Sequence, residues 1–218
     1  MSTETTTKVA PRRARGEYAK TRARKMAILD AALEVFAESG YRSGSLKEVA
    51  TRVGISEAGL LHHFPSKVHL LEAVLEHRDD LARERFELDG DDGAATLRAL
   101  VDLATYNASV PGVVELYCVL SAEAIAPDHP AHDYFVTRYV DTREMIASAF
   151  RQLQDAGRLA PGADPHRAAN ATIALMDGLQ LQWLLDRDVV DMARELSDFF
   201  ASFVEGFRVA EPLDGITR

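Results

Sequence analysis

Between Ser45 and Lys67 hydroxyl, cationic and imidazole side chains stand at spacings suited to gripping a polyanion. Ser45, Ser56 and Lys67 each fall at the start of an expected helix, where free backbone N–H groups and the helix dipole attract phosphate. In the short segment after Ser56, Leu60 and Phe64 are four apart and should face inward, leaving Glu57, Ala58, Leu61 and His62 outward. Leu61 could touch a thymine methyl, and His62 could bond a base edge or a phosphate. Other candidate chemistry is weaker. Asp128-His129-x-x-His132-Asp133 could ligate a metal, but His beside Pro and Asp is also ordinary loop and cap chemistry, so no metal is expected. Glu115 and Glu123 are two helical turns apart, too far along one helix for a catalytic pair. Cys118 lies in the most apolar segment, which suits an inert core thiol. There is no phosphate-binding glycine loop, no G-x-S-x-G and no H-E-x-x-H. No catalytic residue and no cofactor are therefore expected.

The elements that must position these side chains can be read from caps and breakers. Ser45 with Glu48 three residues on is a capping box, followed by Leu46, Val49, Ala50 and Val53 at helical spacing. Gly54 stops that helix, Ile55 plugs the turn, and Ser56 caps a second short helix that Pro65 ends. Two short helices around a glycine turn form a helix-turn-helix, whose second helix can enter a DNA major groove. Ahead of it, Lys20 to Ser39 reads as a helix with Met26, Leu29, Leu33 and Phe36 on its buried side and Gly40 at its end. Arg22, Arg24 and Lys25 crowd its exposed start, where only a nearby anion would favour them.

The run from Ile28 to Val74 resembles the DNA-binding domain of the tetracycline-repressor-like (TetR/AcrR) family of bacterial regulators. The resemblance rests on Ile28-Leu29, Ala31-Ala32-Leu33, Phe36-Ala37, Gly40-Tyr41, Ser45-Leu46, Val49-Ala50, Gly54-Ile55-Ser56, Leu60, His63-Phe64, Ser66-Lys67 and Leu70-Leu71. It implies a dimeric repressor that leaves its operator when a small molecule binds the body, with His63 serving packing and phosphate support. The family often carries Tyr where Leu61 stands, so a hydroxyl contact is missing here. That departure is what keeps a second reading open: a helical ligand-binding protein or enzyme with a vestigial head.

Beyond the motif, Ser66 to about Leu88 reads as a long amphipathic helix, and DGDDG (89–93) is the clearest break. Helices are expected over 94–110, 113–126, 131–156, 165–186 and 189–207. The fold class is all-α: a three-helix helix-turn-helix domain, then a helical ligand-binding and dimerisation domain. The expected divisions are a disordered basic arm at 1–19, the head at 20–67, the body at 68–210 and a tail at 211–218. Tyr106, Tyr117, Met145 and Met176 are the candidates for lining an effector pocket. The last two helices are more apolar than one small body needs, which suggests a twofold dimer anchored by Trp183, Phe199 and Phe203.

Charge supports the division. The formal net charge is −9 over 218 residues. Through Lys67 there are 12 basic and 7 acidic residues; the remainder holds 13 basic and 27 acidic. A basic head on an acidic body confines attraction for phosphate to the head, and Arg12, Arg13 and Arg15 would extend it as an arm. One cysteine, no apolar leader and no run near the roughly 20 residues that cross a bilayer point to a cytoplasmic protein without membrane contact.

Overall fold

The computed structural model describes residues 12–88 and 90–208, with side chains described from Lys20 onward except at 41 and 42. The described residues form nine helices: α1 (Arg12–Ser43), α2 (Leu46–Val53), α3 (Glu57–His63), α4 (Lys67–Phe86), α5 (Gly93–Ser109), α6 (Pro111–Glu123), α7 (His132–Asp155), α8 (Pro165–Leu185) and α9 (Met192–Ala201). Side-chain caps set many of the starts. Ser45, Ser56 and Ser66 accept from the amides of Glu48, Gly59 and His69, and Asp92, Asp164 and Asp191 do the same for α5, α8 and α9. Gly54 ends α2 in the left-handed region at φ 72° and ψ 39°.

Three boundaries differ from expectation. Backbone helix begins at Arg12, inside the stretch expected to be a disordered arm. After Pro11 the sequence is rich in Arg, Ala, Glu and Lys, which favour helix. Gly40, at φ 72° and ψ 177°, does break the main helix, and one further turn follows it. α6 starts at Pro111, two residues early, because proline at the first helical position forfeits only an N–H that would go unused. α9 stops at Ala201, and the apolar residues beyond it leave the helix. There Val204 bridges antiparallel to Leu159, Ala160 N–H donates to Phe203 O (2.8 Å), and Glu205 N–H donates to Arg158 O (2.7 Å). Val204 and Phe207 are still buried, so the apolar pattern correctly marked burial while the backbone chose another partner.

Two hydrophobic clusters result. The first joins α1, α2 and α3 to the first half of α4 through Ile28, Phe36, Val49, Leu60, Leu71 and Val74. It also takes in Leu116 and Leu120 of α6 and Phe135 of α7. The head's core therefore continues past residue 67 to Leu75 and is completed by helices from the body. The second cluster packs α5, the later part of α7, α8 and α9 around Leu97, Leu100, Ile146, Phe150 and Phe200. α4 runs through both. α6 lies so close on α1 that a methyl group at Gly112 would sit 2.8 Å from the carbonyl carbon of Ala37.

Candidate nucleic-acid interface and buried polar cavity

α2 and α3 place the predicted reading residues as their spacing implied. Leu60 and Phe64 are buried in the head's core, while Ser56, Glu57, Ala58, Leu61 and His62 are exposed, Leu61 at 38 %. Ser45 is exposed with its hydroxyl capping α2. The Ser56 hydroxyl holds Gly59 N–H at 3.1 Å, which fixes the start of α3. His63 is half-buried and shares a broad groove with Lys20, Thr21 and Arg24 of α1. Burial, and then the positive charges of His62, Lys25 and Arg24, lower the His63 pKa. Lys20 and Arg24 along the groove provide positive charge that a phosphate backbone would complement. Lys67 opens α4, yet its ammonium lies 5.6 Å over the Phe36 ring. Burial lowers its pKa and Glu123 opposes that. The side chains of Arg12, Arg13 and Arg15 lie outside the described residues.

Arg52 of α2 is engaged with α1, pairing with Glu38 (2.9 Å) and Glu34 (3.4 Å). His129 and His132 serve the α6–α7 loop: His129 Nδ1 accepts from Ala131 N–H, and His132 Nδ1 bonds the Ala124 carbonyl. Among the described residues no group of three or more His, Cys, Asp or Glu is placed to hold a metal. Burial, with Asp177 nearby, pushes the Cys118 thiol up to about 11, which keeps it protonated and unreactive at neutral pH.

The sequence reading missed a buried polar network where α4 meets α5, α6, α7 and α8. Three consecutive residues of α4 reach three different helices. His77 Nε2 bonds Asp30 of α1 at 2.8 Å. Arg78 Nη2 donates to Asn107 Oδ1 of α5 at 2.5 Å. Asp79 accepts from Arg138 of α7 at 2.6 and 3.3 Å, and from the Tyr134 hydroxyl at 3.0 Å. The Tyr117 and Tyr139 hydroxyls both reach Asp177 of α8, at 3.2 and 2.7 Å. Burial alone would raise Asp79, but Arg138 and Arg78 hold its carboxyl below the ordinary range. Burial pushes the Tyr117 and Tyr134 hydroxyls up, so both stay neutral donors.

This network walls a cavity of about 40 Å³ lined by Arg78, Leu103, Asn107, Tyr117, Arg138, Thr142, Ile173, Met176, Asp177 and Gln180. Of the four expected pocket residues, Tyr117 and Met176 line it. Tyr106 faces an outer groove beneath Arg85, and Met145 packs on the body core. A signal for the missed residues was present: Arg78 follows Leu71, Val74 and Leu75 on the apolar stripe of α4, where a charge must find partners.

The expected dimer anchors lie largely inside their own chain. Trp183 is 6 % exposed, and Phe199 and Phe203 are half-buried against Phe150 and Phe200. Their bulk fills the body core. The apolar surface of α8 is another face, with Ala171, Ala174, Leu181 and Leu185 all exposed. Among the described residues no helix is long and apolar enough to cross a membrane.

Comparison with known proteins follows this division. Residues 28–74 match the family described as bacterial regulatory proteins, tetR family, and residues 119–207 match the BetI-type transcriptional repressor C-terminal family. The HTH-type transcriptional regulator UidR of Escherichia coli K12 is 29% identical over 183 residues, covering 83% of this chain and 87% of its own. TtgR of Pseudomonas putida is 26% identical over 214 residues, covering 93% and 98%. The solved structure of a transcriptional regulator from Saccharomonospora viridis, in complex with choline, superposes with a TM-score of 0.69 at 27% identity, covering 85% of this chain and 99% of that one. With head and body both matched, and with the capped α2–α3 pair in place, the chain belongs to the TetR family of bacterial transcriptional regulators.

Proposed function

We propose that this chain is a homodimeric repressor that holds operator DNA through α3 and lets go when a small molecule enters the cavity beside α4. One observation carries the reading: α3 is capped by Ser56, anchored by Leu60 and Phe64, and leaves Glu57, Ala58, Leu61 and His62 on a free face. Lys20 and Arg24 beside it supply attraction for phosphate without sequence preference. Base discrimination then rests on His62 and on contact between Leu61 and thymine methyls.

A pair of such heads must sit about 34–36 Å apart, or a multiple, to meet successive major grooves. The exposed apolar stripe on α8, extended by Val189 (74 % exposed), supports pairing of two copies there. Pairing fixes α8 relative to its partner, so a change inside the body moves the heads. α4 carries that change: the helix that walls the cavity with Arg78 also grips α1 through His77 and Asp30. A ligand alters DNA binding only through its unequal affinity for the two head spacings.

The test is a gel-shift titration with DNA from upstream of the chain's own gene. His62→Ala should weaken specific binding about tenfold, or about 1.4 kcal/mol, within the range of about 1–3 kcal/mol for a lost base contact. Arg24→Ala should weaken all sequences alike and lower the salt slope by about 1. Leu181→Asp should yield monomers in sedimentation and lose cooperative operator binding. Wild-type affinity in all three would end the assignment of this face and this dimer surface.

A further inference from the structure

Arg78 carries an inference that rests on the regulator reading and names the ligand chemistry of the cavity. Its guanidinium is buried, at 8 % exposure. Nη2 donates to the neutral Asn107 amide, and Nη1 lies 3.4 Å from Asp79. Nε is buried with no hydrogen-bond partner among the described residues. Asp79 accepts from Arg78 Nη1 at 3.4 Å and is shared with Arg138 and Tyr134, which leaves Arg78 Nε without an acceptor. On the other wall, Asp177 is committed to the Tyr117 and Tyr139 hydroxyls. The cavity is thus lined by Arg78, a buried cation with one donor unmet, and by Asp177, a carboxylate that accepts from two tyrosine hydroxyls. A buried donor without an acceptor is unfavourable, and an ionised acceptor relieves it best.

We propose that the cavity binds an organic monocarboxylate with an apolar body, its carboxylate held by Arg78 and the Asn107 and Gln180 side chains. The body lies along Leu103, Ile173 and Met176. It extends into an adjoining void of about 10 Å³ beside Leu179, Met192 and Leu196, which shares Asn107, Met176 and Gln180 with the main cavity. An organic cation finds no such welcome, because the Arg138 guanidinium already lies 4.7 Å over the Tyr117 ring.

The size of the cavity supplies the regulation. About 40 Å³ is room for a water or so, against the roughly 300–1,000 Å³ of ordinary ligand pockets. The acid fits only after Met176, the apolar wall common to both voids, swings aside. It therefore favours a widened body over the one described, which is the unequal affinity that release of DNA requires.

The test uses the full chain and four probes at constant ionic strength: octanoate, 3-phenylpropionate, 3-phenylpropionamide and 3-phenylpropylamine, titrated by calorimetry. At least one acid should bind, and the amide and amine should bind at least tenfold more weakly than the matching acid. Arg78→Met should remove that preference. Ile173→Phe, which fills the cavity and keeps Arg78, should lower acid binding at least tenfold, and it decides the matter if Arg78→Met does not fold. Binding of neither acid, equal binding of amide or amine, or acid binding untouched by Ile173→Phe would overturn the proposal. A gel shift separates this failure from that of the regulator reading. Upstream DNA that is bound but not released by a binding acid leaves the regulator standing and sinks the ligand class. A chain that binds no upstream DNA sinks the regulator, while the calorimetric preference still decides the chemistry of the cavity.

Discussion

The head and body cores meet along α4 and are built to different standards. In the head, Ile28, Phe36, Val49, Leu60, Leu71, Val74, Leu116 and Leu120 are all fully buried. The body encloses buried Thr96, Asn107 and Thr172, the orphaned Nε of Arg78 and two small voids. Reading DNA requires one fixed surface, so close packing suits the head. Packing and hydrogen bonding are left incomplete on the body side of α4, as the proposed sensing of a small molecule would require. The two demands are separated by a few residues of one helix, between Leu75 and Arg78.

The sharpest way to break this contrast is to truncate one side chain on each side. Leu71→Ala, in the dry head, should cost about 2–5 kcal/mol and abolish operator binding near body temperature. Met176→Ala, at the half-buried wall of the cavity, should cost about 1 kcal/mol and leave DNA binding intact. Equal losses in thermal melts of the two variants would mean that the cores do not differ. A smaller effect, about 1–3 kcal/mol, is expected of Gly112→Ala, because its methyl group must push α6 away from the Phe36–Ala37 backbone. If the head depends on α6, that variant should lose operator affinity along with melting temperature; a loss of melting temperature alone would place α6 outside the head.

The smallest expected effect sharpens the electrostatics of α4. Burial, then Glu76, raise the Glu72 pKa. A carboxyl raised in the folded state gives stability that is present below the unfolded value of 4.5 and is lost as pH rises through the folded value. Glu72→Gln removes that loss. The variant should melt slightly higher than the parent at pH 7, an effect kept small by solvent screening of this partly exposed group, and the gap should close below pH 4.5. A gap that persists in acid would assign the gain to packing instead.

Legibility in the sequence followed the range of the interactions. Ser45, Gly54 and Ser56 act within three or four residues, so the caps and the orientation of Leu60 against Leu61 and His62 could be read directly. Arg78 announced itself as a charge in an apolar stripe, but its partner Asn107 lies 29 residues away and nothing local connects them. The same limit explains the last helix. Phe203, Val204 and Phe207 keep helical spacing, yet the bridge partner at Leu159, with its neighbours Arg158 and Ala160, that draws them out of α9 sits far upstream. Trp183 and the phenylalanines were recognisably apolar, but periodicity alone does not say whether a face turns to its own core or to a second copy.

The contribution of α6 to the head also bears on how such regulators can be recombined. A chimera made by joining this chain's first 75 residues to a foreign body would carry the reading helices but leave behind Leu116 and Leu120, which close the inner face of the head. The transplanted unit would have to find a substitute of matching shape in its new host, including a small residue where Gly112 lets the backbones touch. Under the proposed function, new sensing specificity is therefore better sought by changing the walls around Arg78 than by cutting the chain at the seam its sequence suggests.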